Sequence, residues 1–444
     1  MNMKKALKHD VEVAGKTIPT MILIGLFLVG GGSAALLSSF GTVSGDADVT
    51  QAVLVNGQND KTNPSDLVSS SDGHVAGTYF VSDLNSDDSK TMTIASQTES
   101  PVTVELDTEY AEGSSPDSYS DSFEGVTAHN IVYDTPEYNP EEDIVVDADD
   151  SNAENHYSTI QDAVDAADGD TVETVYVEAG DYNGFEPVDG TEVVSVAGPE
   201  ETSINLQDTT IDITGGDLTV KGFKITGTGE EGSEGKEGAI AHWTPGNNEG
   251  GELVVEDNIF DGQFAYRAVW SQNAETTTIE DNFFTGSSDA GFELTANDGG
   301  SDTVTASVEG NTFAGLADKG VALRAKDGYT NSITIRNNNF VSNSNSAIQA
   351  GWSGIQEGKK DPYDHATFTA EDNYFDHTGD KIQDNTETSD VDSDLLNSAE
   401  EPYSGGEVTL SAGESVEVTQ LTYLDIALGG DDSYSLKTSV NPVR

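Results

Sequence analysis

Five short stretches in the middle of the chain share one order of apolar and polar positions. They are VVEDNIFDG from Val254, TIEDNFFTG from Thr278, SVEGNTFAG from Ser307, TIRNNNFVS from Thr334 and TAEDNYFDH from Thr369. Each alternates β-forming residues, then places an Asn, a spacer and an aromatic ring. The repeated residues are Asn258, Asn282, Asn311, Asn338 and Asn373, separated by 24, 29, 27 and 35 positions. TVKGFKITG, from Thr219, occupies the same slot one repeat earlier with Phe223 in place of Asn. Each unit also carries a second apolar patch: GAIAHW, RAVWSQ, AGFELT, GVALRA and SAIQAG. Similar strands joined by connections of unequal length suit a solenoid whose coils stack while its loops vary. The pattern predicts a right-handed parallel β-helix over residues 151–398. About eight coils at ~4.8 Å each would extend roughly 40 Å. The aromatic two places after each Asn is expected to stack inside. The Asn amides are expected at a bend, bonded from coil to coil as a structural ladder.

The start of this region reads as a cap. HYSTIQDAVDAADGD opens with a short amphipathic helix whose Ile160, Ala163, Val164 and Ala167 share one face. Ser158 and Gln161 have capping-box spacing and Gly169 is placed to end the helix. Such a helix would cover the open edge of the first coil. The stretch from Tyr157 to about Asn397 is similar to pectin-lyase-like β-helix proteins, which implies the fold. That superfold serves lyases, hydrolases, adhesins and inert spacers, so it implies no single activity.

Outside the repeats the period drops to two. TYFVSDL, KTMTIAS and PVTVELD alternate through Tyr79, Val81, Met92, Ile94, Val102, Val104 and Leu106. The same style resumes near the far end in GEVTLSAGESVEVTQLTYLDIAL and SYSLKTSVNP. Half-buried antiparallel sheets have this signature, and such strands need a second sheet to cover them. We therefore expect an all-β protein: one jelly-roll-like sandwich built from residues 46–150 and 399–444, with the β-helix inserted between its halves. Two independent small β domains are the alternative. Residues from about Ala111 to Asp150 are rich in Ser, Asp, Glu and Pro and read as linker or long loops.

Composition narrows the function. The chain has 81 acidic and 19 basic residues, a formal net charge of −62, and no cysteine. Bulk attraction to nucleic acid or anionic lipid is excluded. Disulfides and thiolate metal sites are excluded too; no cofactor is expected, and any metal would be a hard cation held by oxygen, such as calcium. The carboxylate-coated surface resembles proteins of salt-loving microbes, halophilic archaea in particular. Molar salt shortens the Debye length to about 3 Å and would screen the self-repulsion.

Residues 1–45 have the marks of an export signal or membrane anchor: Lys4, Lys5, Lys8 and Lys16 precede the apolar run from Ile18 to Leu37. The GGGSAA stretch makes a good processing site, with cleavage expected near Ala34–Ala35. The segment from Leu28 to Val55 resembles the start of TasA/camelysin-type surface fibre subunits. That resemblance implies a jelly-roll sandwich at the chain ends and assembly of identical copies into filaments. It departs from the family after the cleavage region, where LLSSFG replaces the aromatic-rich sequence.

Two kinds of functional residue stand out. In DVTQAVLV, Val49, Ala52, Val53 and Val55 form a candidate donor strand that could complete the sheet of a neighbouring copy. An ordinary first strand in its own sandwich is the other reading. In the repeats, taking Ile240, Val269, Phe292, Val321 and Ile348 as inward puts Ala241, Trp270, Glu293, Ala322 and Gln349 in one outward column. Trp243, Gln272, Thr295, Arg324 and Gly351 form the next. Trp243, Trp270 and Trp352, with Arg324, make a candidate glycan-binding face, and Arg267, Lys319 and Lys326 gather nearby. Were the solenoid an enzyme, Arg324 would be a base with Glu293 and Asp318 as ligands, or Glu293 and Asp289 a carboxyl pair. No catalytic constellation stands out from the acidic background, and His242 beside Trp243 reads as packing. The expected protein is a cell-surface filament subunit displaying a β-helix, with copies of itself and surface glycans as partners. Contact with the membrane is expected only through the N-terminal segment before processing. An extracellular polysaccharide lyase or glycoside hydrolase is the alternative.

Overall fold

The computed structural model describes residues 10–13, 16–19, 53–57, 68–69, 75–82, 89–96, 101–112, 126–148, 155–167, 173–207, 209–228, 238–243, 250–264, 266–286, 289–296, 303–325, 330–351, 368–376, 379–384, 397–399, 402–403, 407–411, 414–424 and 434–442. Most of the apolar run from Ile18, the cleavage region, Val49, Ala52, Gly169, Lys326 and Trp352 lie outside them. Asp10–Val13 and Lys16–Pro19 pair as an antiparallel hairpin.

The middle of the chain coils through three parallel sheets. In one coil, Glu252–Glu256 lies in the first sheet, Ile259–Gly262 in the second and Arg267–Gln272 in the third. Thr276–Glu280 then returns beside Glu252–Glu256, with Leu253 next to Thr277. This pairing repeats to Ala306, Ile333 and Phe368, so loops absorb the unequal spacing and the strands stay in step.

The bend between first and second sheets explains the repeated motif. The residue before each Asn has a left-handed backbone: Asp257 (φ 55°), Asp281 (φ 51°), Gly310 (φ 69°), Asn337 (φ 55°) and Asp372 (φ 53°). Asp, Asn and Gly are the residues that tolerate this conformation. The following Asn is buried, and its amide donates to the carboxamide oxygen of the next. Asn258 reaches Asn282 at 3.1 Å; Asn282–Asn311, Asn311–Asn338 and Asn338–Asn373 each span 3.0 Å. At the top, the Phe223 N–H donates to Asn258 Oδ1 (3.0 Å), so an apolar side chain can end the ladder. Two residues on, Phe260, Phe284, Phe313, Phe340 and Phe375 stack at 4.7, 4.7, 5.2 and 5.3 Å between centroids. Small residues face this stack: a Cβ on Gly320 would lie 2.5 Å from the Phe340 ring and one on Gly291 2.4 Å from Phe313.

Among the described residues a single short helix, α1 (Ile160–Ala166), buries Ile160, Ala163 and Val164 against the first coil. Its N-cap is Thr159, which accepts from the Asp162 N–H (3.1 Å) and donates to its carboxylate (2.8 Å). The expected Ser158–Gln161 box is displaced by one residue because Gln161 instead receives the Glu186 N–H (2.7 Å) and pins a loop of the next coil.

The chain ends build one sandwich. Val53–Gly57, Ser89–Ser96, Ser415–Leu424 and Val126–Tyr133 form one antiparallel sheet in that order. Glu407–Leu410, Val102–Glu112, Tyr434–Pro442, Val75–Ser82 and Val68–Ser69 form the other, with Val440 beside Leu106. Ile94, Val416 and Val418 of the first meet Val104, Leu106, Val408 and Leu410 of the second in a shared core. The acidic stretch expected to be linker thus contains a strand, Val126–Tyr133, with Ala128, Ile131 and Tyr133 buried. Ile144–Val146 from the same stretch already belongs to the solenoid, N-terminal to the expected boundary at Ser151.

That Val126–Tyr133 strand is also the seam. Ile131, Leu421 and Tyr423 pack on Ile259, Phe283, Ala314 and Val341 of the second solenoid sheet. His129 Nδ1 meets the Thr312 hydroxyl at 3.1 Å, and the Tyr133 hydroxyl donates to the Ser195 carbonyl. The solenoid is therefore covered on its second sheet, while charged residues line the outer faces of the first sheet, with Lys221–Glu256 and Arg336–Glu309 pairs, and of the third.

Candidate functional site on the third sheet

The third sheet runs Ile211–Thr214, Ile240–Trp243, Arg267–Gln272, Ala290–Ala296, Lys319–Ala325, Ser346–Ala350 and Asp380–Asp384. Its register puts Ala241, Trp270, Glu293, Ala322 and Gln349 in one column and Trp243, Gln272, Thr295 and Arg324 in the next. The ladder Asn are spread along the far bend and contribute hydrogen bonds to the fold alone.

Glu293 is the centre of a buried network, with 3% of its side chain exposed. It receives Arg267 Nε (3.3 Å) and Arg324 Nη1 (3.0 Å). The Thr295 hydroxyl donates to it at 3.2 Å while accepting from the Trp270 indole N–H at 3.3 Å. The Arg267 guanidinium lies 4.8 Å over the Trp270 ring. Trp270 is thus a buried support for the arginines, 5% exposed, while Trp243 and Arg324 are half-buried and reach the surface.

A second group sits where the strands begin. Lys319 is buried and pairs with Asp318 and, at 3.6 Å, with Asp289. The two carboxyls share the Lys319 ammonium. Burial and the Asp318 contact push Asp289 above the usual carboxylate range. Asp318 is held below it, because hydrogen bonds from Lys319 and Asn345 outweigh its burial. Tyr266, in the coil before, is 45% exposed.

The structure brings Arg324 and Glu293 into direct contact and sets Asp318 with Lys319 instead. His242 is buried, gives its Nε2–H to the Gly216 carbonyl (2.8 Å), and is shifted below its ordinary value by burial. Sequence reasoning missed Tyr266 and Ser346. The available signal was the position of Tyr266 immediately before a strand start. Among the described residues no three His, Asp or Glu side chains converge as a cation site.

An all-β chain with a capped, three-sheet solenoid belongs to the class of parallel β-helix proteins. Residues 175–406 match the model of the family described as periplasmic copper-binding protein (NosD), and the chain belongs to that family. The protein accordingly acts outside the cytoplasm. None of the curated proteins compared with it matches. Among solved structures, the catalytic domain of a GH87 α-1,3-glucanase with bound tetrasaccharides is 12% identical, covering 74% of this chain and 85% of that one at a TM-score of 0.33. The same domain with nigerose is 9% identical, covering 76% and 94% at 0.23. Both scores are too low to bear on function.

Proposed function

We propose that this is a cell-surface protein whose β-helix binds an extracellular glycan on the outer face of its third sheet. The observation that carries this is the placement of charge. In a chain with only 19 basic residues, Arg267, Lys319 and Arg324 share one sheet face, each held by a buried or half-buried carboxylate. Burying such ion pairs gains little stability over apolar packing, so a binding role accounts for them better. Saccharides suit the face because sugar CH surfaces pack on rings such as Trp243, while guanidinium and amide groups serve the hydroxyls. A panel of soluble polysaccharides, titrated in molar salt by calorimetry, tests the reading. Binding weakened about tenfold by Arg324→Gln or Trp243→Ala is expected; no binding to any member of the panel would end it.

The copper of the family description does not fit these residues. The chain has no cysteine. Of the described histidines, His129 bonds Thr312, His156 meets the Pro140 carbonyl and His242 the Gly216 carbonyl, far apart in the fold.

A filament subunit is the second reading, with copies of the chain as partners and a salt-adapted surface. It is favoured by the Val53–Gly57 strand, which contains the candidate donor residues Val53 and Val55 and, among the described residues, pairs on one side only, at the edge of its sheet. A strand so placed can be exchanged between copies. Deleting the residues before Gly57 from the mature protein should abolish polymers seen by electron microscopy; unchanged fibres would remove this reading.

A further inference from the structure

The corner where the third sheet begins stacks one residue per coil. The Ala290 N–H donates to the Tyr266 carbonyl (2.8 Å), the Lys319 N–H to that of Asp289 (2.9 Å), and the Asn345 N–H to that of Asp318 (2.8 Å). Tyr266, Asp289, Asp318 and Asn345 therefore form a row along the solenoid axis, about 4.8 Å per step. The row is accessible: Tyr266 is 45% exposed, and the side chains of Asp289 and Asp318 are 41% and 29% exposed. Lys319 lies beneath with 5% exposure and fixes both carboxyls from below.

One further group is left over. Ser346 stands beside Lys319 in the register, and its N–H bonds the Asp318 carbonyl at 3.2 Å. It is 0% exposed and its hydroxyl has no hydrogen-bond partner. An unmet buried hydroxyl costs about 1–3 kcal/mol, so a hydroxyl arriving at this corner would relieve it.

Resting on the glycan reading above, we propose that this corner is a subsite for a neutral hexose in a chain running along the solenoid axis. The sugar ring lies on Tyr266, and its neighbouring hydroxyls bridge the Asp289–Asp318 pair. An exposed ring supplies the apolar platform. Ionised carboxylate is an acceptor only, so Asp318 and its neighbour Asp289 take sugar O–H groups in charge-assisted bonds. Uronates and sulfated sugars are disfavoured at this corner because they would set an anion against Asp318.

Calorimetry in molar salt with a linear neutral gluco-oligosaccharide and, separately, a polyuronate oligosaccharide tests this on the full chain. Melting temperatures should be recorded for each variant. The wild type should bind the neutral oligosaccharide, and Tyr266→Ala and Asp318→Asn should each weaken it about tenfold. Tyr266→Phe should retain affinity, because the ring and not the hydroxyl is the platform. Neutral binding unchanged in Tyr266→Ala and Asp318→Asn, or binding of the polyuronate alone, would overturn the subsite and leave the glycan face standing. Failure of both oligosaccharides to bind would remove the subsite, and the glycan face would then stand or fall on the polysaccharide panel.

Discussion

Asn311 sits in the middle of the ladder, and replacing it with Ala should expose how much the ladder contributes. Its Nδ2 donates to Ile279 O (2.8 Å), Glu309 O (2.9 Å) and Asn338 Oδ1 (3.0 Å). Its Oδ1 accepts from both the N–H and the amide of Asn282, each at 3.0 Å. The residue is 0% exposed, so water cannot replace these partners without opening the coil. Its two amide hydrogens, shared among the three acceptors, and the two accepted bonds count as four bonds at about 1 kcal/mol each, about 4 kcal/mol, and partial relaxation brings the expected loss to about 2–4 kcal/mol. Since domains are stable by about 5–15 kcal/mol, that is a large fraction of the total. Asn311→Asp supplies the control for shape. It preserves size but turns the donating end into an acceptor facing three oxygens, so it should cost at least as much as Ala. Urea denaturation in molar salt, followed by circular dichroism, measures both from the midpoint and slope. A loss below about 1 kcal/mol for Ala, or an Asp variant equal to wild type, would refute the ladder as a stabilising element.

Gly320→Ala should lower the melting temperature by an overpacking cost of about 1–3 kcal/mol, since the new methyl would lie 2.5 Å from the Phe340 ring and 2.9 Å from the Ala347 carbonyl. Glu293→Gln leaves Arg267 and Arg324 without their shared carboxylate; breaking such a buried pair costs about 3–5 kcal/mol, and denaturant unfolding should show most of it. The seam should respond to pH in two directions. Burial, with Asp257, Glu280 and Glu309 nearby, raises Asp281 to about 8. The native state then holds a proton the unfolded chain releases, and that contribution is lost as pH rises from about 4 toward 8. Burial lowers His129 to about 4, against a backbone hydrogen bond at Asp281 that raises it, so its contribution is present above about 6.5 and lost as pH falls toward 4. Melting curves from pH 4 to 9 should show Asp281→Asn flattening the alkaline decline and His129→Gln the acid one; unchanged slopes would contradict both assignments.

What could be read from sequence divides along a physical line. The solenoid was legible because each coil satisfies the same constraints. The bend needs a left-handed residue, the ladder needs an amide, and the core needs a ring, so Asp281, Asn282 and Phe284 recur as a unit. The sandwich was legible from alternation alone, since a half-buried sheet imposes period two wherever it lies. The seam was not. Thr312 and His129 are 183 residues apart, and nothing local marks either as a contact. The strand Val126–Tyr133 was hidden for the same reason. Both its faces are covered, by its own sandwich and by the solenoid, so its His, Asn and Thr are buried polar residues that composition assigns to a loop. The site shows the same division. Alternation placed Trp270, Glu293 and Arg324 on the outer face, yet outward from the sheet did not mean exposed. Glu293 draws two arginines over the surface, and Trp270 is buried beneath them. The exposed groups at the strand starts, Tyr266 with the Asp289–Asp318 pair, interrupt no periodicity and repeat no motif. A site assembled from one residue per coil has no signature in any single repeat, which is why its chemistry emerges only when the coils are stacked in register.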